Sequence, residues 1–132
     1  MKKNITNLFI IFLLLALTNV LKGQCANTDI KVPSSWGSEL QLETSKTLLV
    51  ETTAIRELKL SLYTSKGTKI FESTSSVLGA SKDVVKILDT GWDGTQLGEK
   101  LKAGFYVYTI EAECSDRSKT IFKTGQIVLT VK

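Results

Sequence analysis

The sequence predicts an all-β fold, an immunoglobulin-like antiparallel β-sandwich of about seven strands over residues 24–132. Three observations carry that expectation. Helical spacing is nearly absent after residue 23, while period-two alternation of apolar and polar residues recurs. Clusters of Gly, Ser, Thr and Asp punctuate the alternating runs at short intervals. The chain holds a single proline, Pro33, so few ladder positions lack a donor.

Residues 1–23 read as a targeting segment rather than as part of this fold. Lys2 and Lys3 precede an apolar run from Leu8 to Leu17, and small Gly23 follows Leu21 by two positions. That is the pattern of a secretory signal peptide cut between Gly23 and Gln24. The run is shorter than the roughly 20 residues of a membrane span, which argues against an uncleaved anchor. The side chains of Lys22 and Gln24 do not suit lipid attachment at Cys25. The predicted destination is the cell surface or the extracellular space, with the periplasm as the alternative. Removing residues 1–23 of the 132 leaves 109, enough for one domain. The segment holds three of the 17 basic residues and none of the 13 acidic ones, so the mature charge is 14 minus 13, or +1. Nucleic-acid binding thereby loses its electrostatic support, and no nucleic-acid partner is expected.

The mature chain keeps both cysteines, Cys25 and Cys114. An exported chain meets an oxidising compartment, so a disulfide between them is expected. It would close a loop of about 90 residues and stabilise by roughly 4 kcal/mol in the chain-entropy model. The alternative is a buried free thiol and a second one near the N-terminus.

Element by element, Leu40 and Leu42 alternate with polar neighbours in Glu39–Thr44, and Thr47–Glu51 is a short apolar run. In Glu57–Tyr63, Leu58, Leu60 and Leu62 share one face while Lys59 and Ser61 point away. Thr64-Ser65-Lys66-Gly67 is a turn, and Thr68–Ser73 returns as the second arm of a hairpin. Thr74–Lys82 is small and polar and reads as a loop. Asp83–Leu88 is rich in β-branched residues and reads as a short strand. Asp89–Gly94 is a turn cluster, and Thr95–Gly104 is mostly loop. Phe105–Cys114 is the clearest strand, with Tyr106, Tyr108, Ile110, Ala112 and Cys114 on one face. Ser115–Lys119 is a turn. Thr120–Lys132 is the last strand, with Ile127, Leu129 and Val131 on one face and Gly125 a bulge or point of close approach.

The inventory for chemistry is poor. There is no histidine, so no Ser-His or Cys-His pair and no His-based metal site is available. Asp89, Asp93 and Glu99 fall short of the six or more oxygen ligands a calcium site needs. Asp93 is expected instead to accept backbone N–H bonds in a turn, with Gly94 as the left-handed residue. Glu111 and Glu113 share a strand face but lack the cleft that paired-carboxylate catalysis requires. Trp92 is expected to plug the core, as are Tyr106 and Tyr108. Lys100, Lys102, Lys119 and Lys123 read as solubility and edge protection. No enzyme activity, cofactor or metal is expected.

From Glu57 onward the chain resembles the gliding motility-associated C-terminal domain, the type B sorting domain of type IX secretion cargo. The resemblance rests on an ordered series. A hairpin runs from Leu60 to Glu72 through Tyr63 and Gly67, and Trp92-Asp93-Gly94 follows it. Leu101-Lys102-Ala103-Gly104-Phe105-Tyr106-Val107-Tyr108 comes next, and Gly125 to Lys132 closes the chain. The chain departs from the family's pattern in having Lys66 where the hairpin turn carries Trp, in lacking an N-terminal Pro-Asn-Gly-Asp-Gly stretch, and in a longer segment between Phe71 and Trp92. The resemblance implies an immunoglobulin-like sandwich that is secreted and recognised by a secretion translocon or by a gliding or outer-membrane component. It implies structural roles for Trp92, Asp93, Gly94, Gly104, Tyr106 and Tyr108. It implies partner recognition by the closing strand through Gly125, Ile127, Leu129, Thr130, Val131 and Lys132, together with the neighbouring Phe105–Glu113 strand, with strand-edge pairing as the mode. Two other readings stand beside it. One is a resident periplasmic or outer-membrane accessory subunit. The other is a small carbohydrate-binding or adhesin-like domain using Trp36 and Tyr63 as exposed aromatics.

Overall fold

The computed structural model describes residues 28–37, 46–78 and 84–130. Ten strands form within them: β1 (Asp29–Lys31), β2 (Ser35–Gly37), β3 (Leu49–Thr53), β4 (Ile55–Thr64), β5 (Lys69–Ser76), β6 (Val85–Asp89), β7 (Thr95–Gln96), β8 (Glu99–Lys100), β9 (Gly104–Cys114) and β10 (Thr120–Thr130). No helix occurs among the described residues. The expected signal segment, Cys25, the strand at Glu39–Thr44, and Val131 and Lys132 lie outside them.

The strands assemble into a five-stranded sheet ordered β2-β10-β9-β4-β5, a three-stranded sheet ordered β1-β3-β6, and a two-stranded hairpin of β7 and β8. Pairing is antiparallel except where β2 runs parallel to β10 over Val128–Thr130. Alternation decides which face turns inward. On β9 the Tyr106, Tyr108, Ile110, Ala112 and Cys114 face is buried, and on β4 Leu58, Leu60 and Leu62 are buried beside it. Ile127 and Leu129 of β10 complete that face. Ile30, Val50 and Leu88 of the three-stranded sheet meet it in one apolar cluster, an arrangement consistent with a β-sandwich.

Trp92 is fully buried in this cluster. The Trp36 ring lies 5.1 Å from it and the Tyr106 ring 6.4 Å away, edge-on. Such tilted and edge-on pairs contribute about 0.5–1.5 kcal/mol each beyond area burial. The irregular backbone carrying Trp92 is held by Leu48, whose N–H donates to the Trp92 carbonyl (2.8 Å) and whose carbonyl accepts the Thr90 hydroxyl (2.7 Å). Between the sheets, the chain turns at Ala54, with φ 57°, directly from β3 into β4. The Lys123 ammonium donates to the main-chain carbonyl of Ile30, tying the five-stranded sheet to β1.

Three expectations change. β5 continues to Ser76 where a loop was expected from Thr74, because its polar residues pair with β4 through Glu57↔Ser76 and Lys59↔Thr74. The stretch expected to be loop after Thr95 contains the β7–β8 hairpin, turned by Leu97 and Gly98, both at positive φ (52° and 84°). Trp36, expected to be exposed, is buried, because β2 lays it against Trp92 and beside Gly94.

Candidate recognition surface

The turn cluster at residues 89–95 is organised by carboxylates. Asp89 Oδ1 accepts the Gly91 N–H (2.8 Å) and the Thr47 hydroxyl (2.6 Å). Asp93 Oδ1 accepts both the Thr95 N–H (3.0 Å) and its hydroxyl (2.6 Å). The Thr95 hydroxyl holds the Asp93 carboxyl below its ordinary range. Gly94 follows at φ 82°, and a Cβ there would lie 2.5 Å from the Trp36 ring, so both conformation and space require glycine. Gly104 opens β9, and the Tyr106 hydroxyl donates to the Lys102 carbonyl (2.8 Å) just before it. Tyr108 is buried under β10. Among the described residues, no group of three or more acidic or cysteine side chains is placed to hold a metal.

The closing strand is arranged differently from the expectation. Ile127 and Leu129 are buried in the core (0% and 1% exposed), so their side chains face Trp92's layer rather than solvent. Gly125 lies against the Tyr108 ring, and the β9–β10 register runs through it without a shift, so it is a close approach and not a bulge. Thr130 is half-buried and its hydroxyl donates to the Trp36 carbonyl (3.4 Å). β2 occupies the outer edge of β10 at Val128–Thr130.

Among the described residues no strand pairs with β10 from Thr120 to Ile127 on the side away from β9. The Val128 N–H donates to the Ser34 carbonyl across this edge (2.9 Å). Strand alternation then aims the main-chain N–H and C=O groups of Thr120, Phe122, Thr124 and Gln126 toward the same edge. The side chains of these four residues stand on the outer face of the five-stranded sheet, where Phe122 is 76% exposed. Phe105 is also exposed on this face, with Tyr63, Val107 and Val128 half-buried beside it. None of the four edge positions carries a charge or a proline, the devices that usually protect an exposed edge. Lys123 does not supply one, because it turns to the inner side toward Ile30.

Of the other expected residues, Lys100 and Lys102 precede β9 while Lys119 follows it, so a strand roughly 35 Å long separates them and they form no single patch. Cys114 ends β9 with 1% exposure, and no free cysteine is found among the described residues. Glu111 and Glu113 stand on the outer sheet face with Glu57 and line a shallow depression of about 410 Å³. Thr120, Phe122, Thr124, Gln126 and Glu57 were not singled out from sequence. The signal for the β10 residues was present, since they are the alternate, uncharged positions to the buried Ile127 and Leu129.

The features above define an all-β protein in which, among the described residues, one edge of β10 is unpaired and borders an exposed aromatic face. Comparison with family models and with curated proteins finds no match.

Proposed function

We propose that the chain is an exported, non-enzymatic β-sandwich module of immunoglobulin-like topology that serves protein recognition, as the resemblance to type B sorting domains implies. Its partner would be a component of a type IX secretion or gliding assembly. The observation that carries this reading is the free, uncharged edge of β10 from Thr120 to Gln126. An extended segment of a partner would add there as a further strand, main chain to main chain. Side-chain specificity would come from the outer face through Phe122 rather than from Ile127 and Leu129.

The strand order supports the immunoglobulin-like reading. β1 and β2 are successive pieces of one segment that crosses from one sheet to the other at Pro33. β7 and β8 form a hairpin inside the β6–β9 connection. Counted so, the principal strands are the β1–β2 segment with β3, β4, β5, β6, β9 and β10. The Tyr106 hydroxyl bonded four residues back, at the start of the second-last strand, is the corner such sandwiches use. We further propose the Cys25–Cys114 disulfide, which would fasten the start of the mature chain to the buried end of β9.

The test is Thr124→Pro, which removes an N–H aimed at the free edge and leaves the N–H groups bonded to β9 in place. In the native host, a folded Thr124→Pro protein should be retained in the periplasm while the wild type reaches the surface or the medium. Unchanged delivery of the folded variant would sink the proposal.

A further inference from the structure

The outer face beside the free edge restricts what kind of strand fits there. Glu57 of β4 stands directly opposite Glu113 of β9, and Lys59 opposite Glu111. On the other side of β9, Thr120 faces Glu113 and Phe122 faces Glu111. Like charges directly opposite one another on a sheet destabilise it. Lys59, the one cation in this set, is drawn to the far side, its ammonium 3.4 Å from Glu72 Oε1. Among the described residues no ion pair reaches Glu57, Glu111 or Glu113. The depression on the three-stranded sheet differs in this respect. It is lined by Lys31 and Glu51, whose charges meet each other at 3.1 Å.

A strand added to β10 would lie about 4.8 Å beyond it and about 10 Å from β9. Its alternate side chains would emerge on the outer face next to Thr120, Phe122 and Thr124. Long basic side chains at those positions would cross the exposed Phe122 ring, a favourable cation–π geometry, and arrive at Glu111 and Glu113. Acidic ones would add to an existing repulsion. We infer that the strand recognised at β10 is a β-forming segment carrying Lys or Arg at alternate positions. Its basic side chains would lie over Phe122 toward the Glu111–Glu113–Glu57 depression. This rests on the edge-pairing reading proposed above.

The experiment uses the purified protein and three end-capped octapeptides that alternate valine with lysine, with serine or with glutamate. Affinity is read by fluorescence anisotropy. Amide hydrogen exchange of Phe122, Thr124 and Gln126 reports edge pairing. The lysine peptide should bind at least about tenfold more tightly than the glutamate peptide and should slow exchange at those amides. In the Glu111→Gln/Glu113→Gln variant, which removes like charge and should fold at least as well, that preference should fall toward unity. Equal binding of the lysine and glutamate peptides, with the amides protected by both, overturns the basic-strand inference and leaves edge pairing standing. A lysine preference that persists in the double variant also overturns it, as does lysine-peptide binding with no protection of the three amides. Absence of protection by all three peptides overturns the edge-pairing reading as well.

Discussion

At Gly125 the β10 backbone runs against the Tyr108 ring, and a Cβ there would fall 2.5 Å from Cζ. Gly125→Ala therefore forces a buried ring to move. Overpacking of this kind costs about 1–3 kcal/mol. Urea unfolding should show that loss, and it should shrink when Tyr108 is first replaced by Leu, since the two changes share one contact. Glu72 makes a second prediction at this scale. The Lys69 ammonium (2.6 Å) and the Ser61 hydroxyl (3.1 Å) both bond its Oε2 and pull its pKa from 4.5 to about 2. A carboxylate whose folded pKa is depressed contributes stability that is complete above 4.5 and lost as pH falls toward 2. Melting temperatures of wild type and Glu72→Gln should therefore converge across that window, with the wild type losing more. The effect should be small and salt-sensitive, since the group is exposed. Gly125 was legible in the sequence as a bulge or a point of close approach because it interrupts a strand, and the Tyr108 ring against it decides for the close approach. The burial of Trp36 was not, because its neighbours Ser34, Ser35 and Gly37 show no period. Its environment comes from a parallel pairing with a segment more than ninety residues away (Trp36↔Leu129).

Among the elements, β4, β9 and β10 were legible because alternation writes the buried face directly into the chain. β5 was legible only to Ser73. Beyond it the residues are Thr74, Ser75 and Ser76, which carry no apolar period. Hydroxyls do the work there that side-chain burial does elsewhere. Ser73 Oγ donates to the Thr90 carbonyl (2.5 Å) and Ser75 Oγ to the Asp89 carbonyl (2.7 Å), joining β5 to the end of β6. A bond of this kind is worth about 0.5–1.5 kcal/mol, and its loss also leaves a carbonyl without that donor. Ser73→Ala/Ser75→Ala should lower unfolding stability by about 1–3 kcal/mol. Amides of β5 from Ser73 to Ser76 should exchange faster, while those of β9 should be unchanged. Uniform acceleration through both strands would show that β5 is not an independently anchored edge. The recognition surface belongs to this scale too. Its inner register was legible in Ile127 and Leu129, but how much of the outer edge of β10 is paired depends on where the parallel β2 starts, at Ser35 opposite Val128, and three residues of β2 give no periodic signal.

At the scale of the whole molecule, the first described segment ties the two sheets together by crossing between them. β1 and β2 are three residues each. β2 pairs with β10 over three residues, and the Lys123 bond to Ile30, the Val128 bond to Ser34 and the Thr130 bond to Trp36 add to that pairing, with Trp36 packed on Trp92 and Ile30 buried in the core. This segment both closes the core over Trp92 and fixes where the free edge of β10 begins. A covalent link just upstream would secure it at little cost to the rest of the fold. The proposed Cys25–Cys114 bridge does so by tying the chain before β1 to the buried end of β9. In the chain-entropy model it contributes roughly 4 kcal/mol, a large part of the 5–15 kcal/mol typical of a domain. Cys25→Ser should therefore lower stability by about 2–5 kcal/mol under oxidising conditions and by nothing further once reductant is added. Cys114→Ser should match it apart from a small packing term for the buried sulfur. If reduction leaves the wild-type melting temperature unchanged and both thiols react with iodoacetamide in the unfolded oxidised protein, the crossing segment is held without a covalent link, by its hydrogen bonds, the Lys31–Glu51 ion pair and the burial of Ile30 and Trp36. Trp36→Ala should then be the most damaging change in the segment, at about 3–5 kcal/mol.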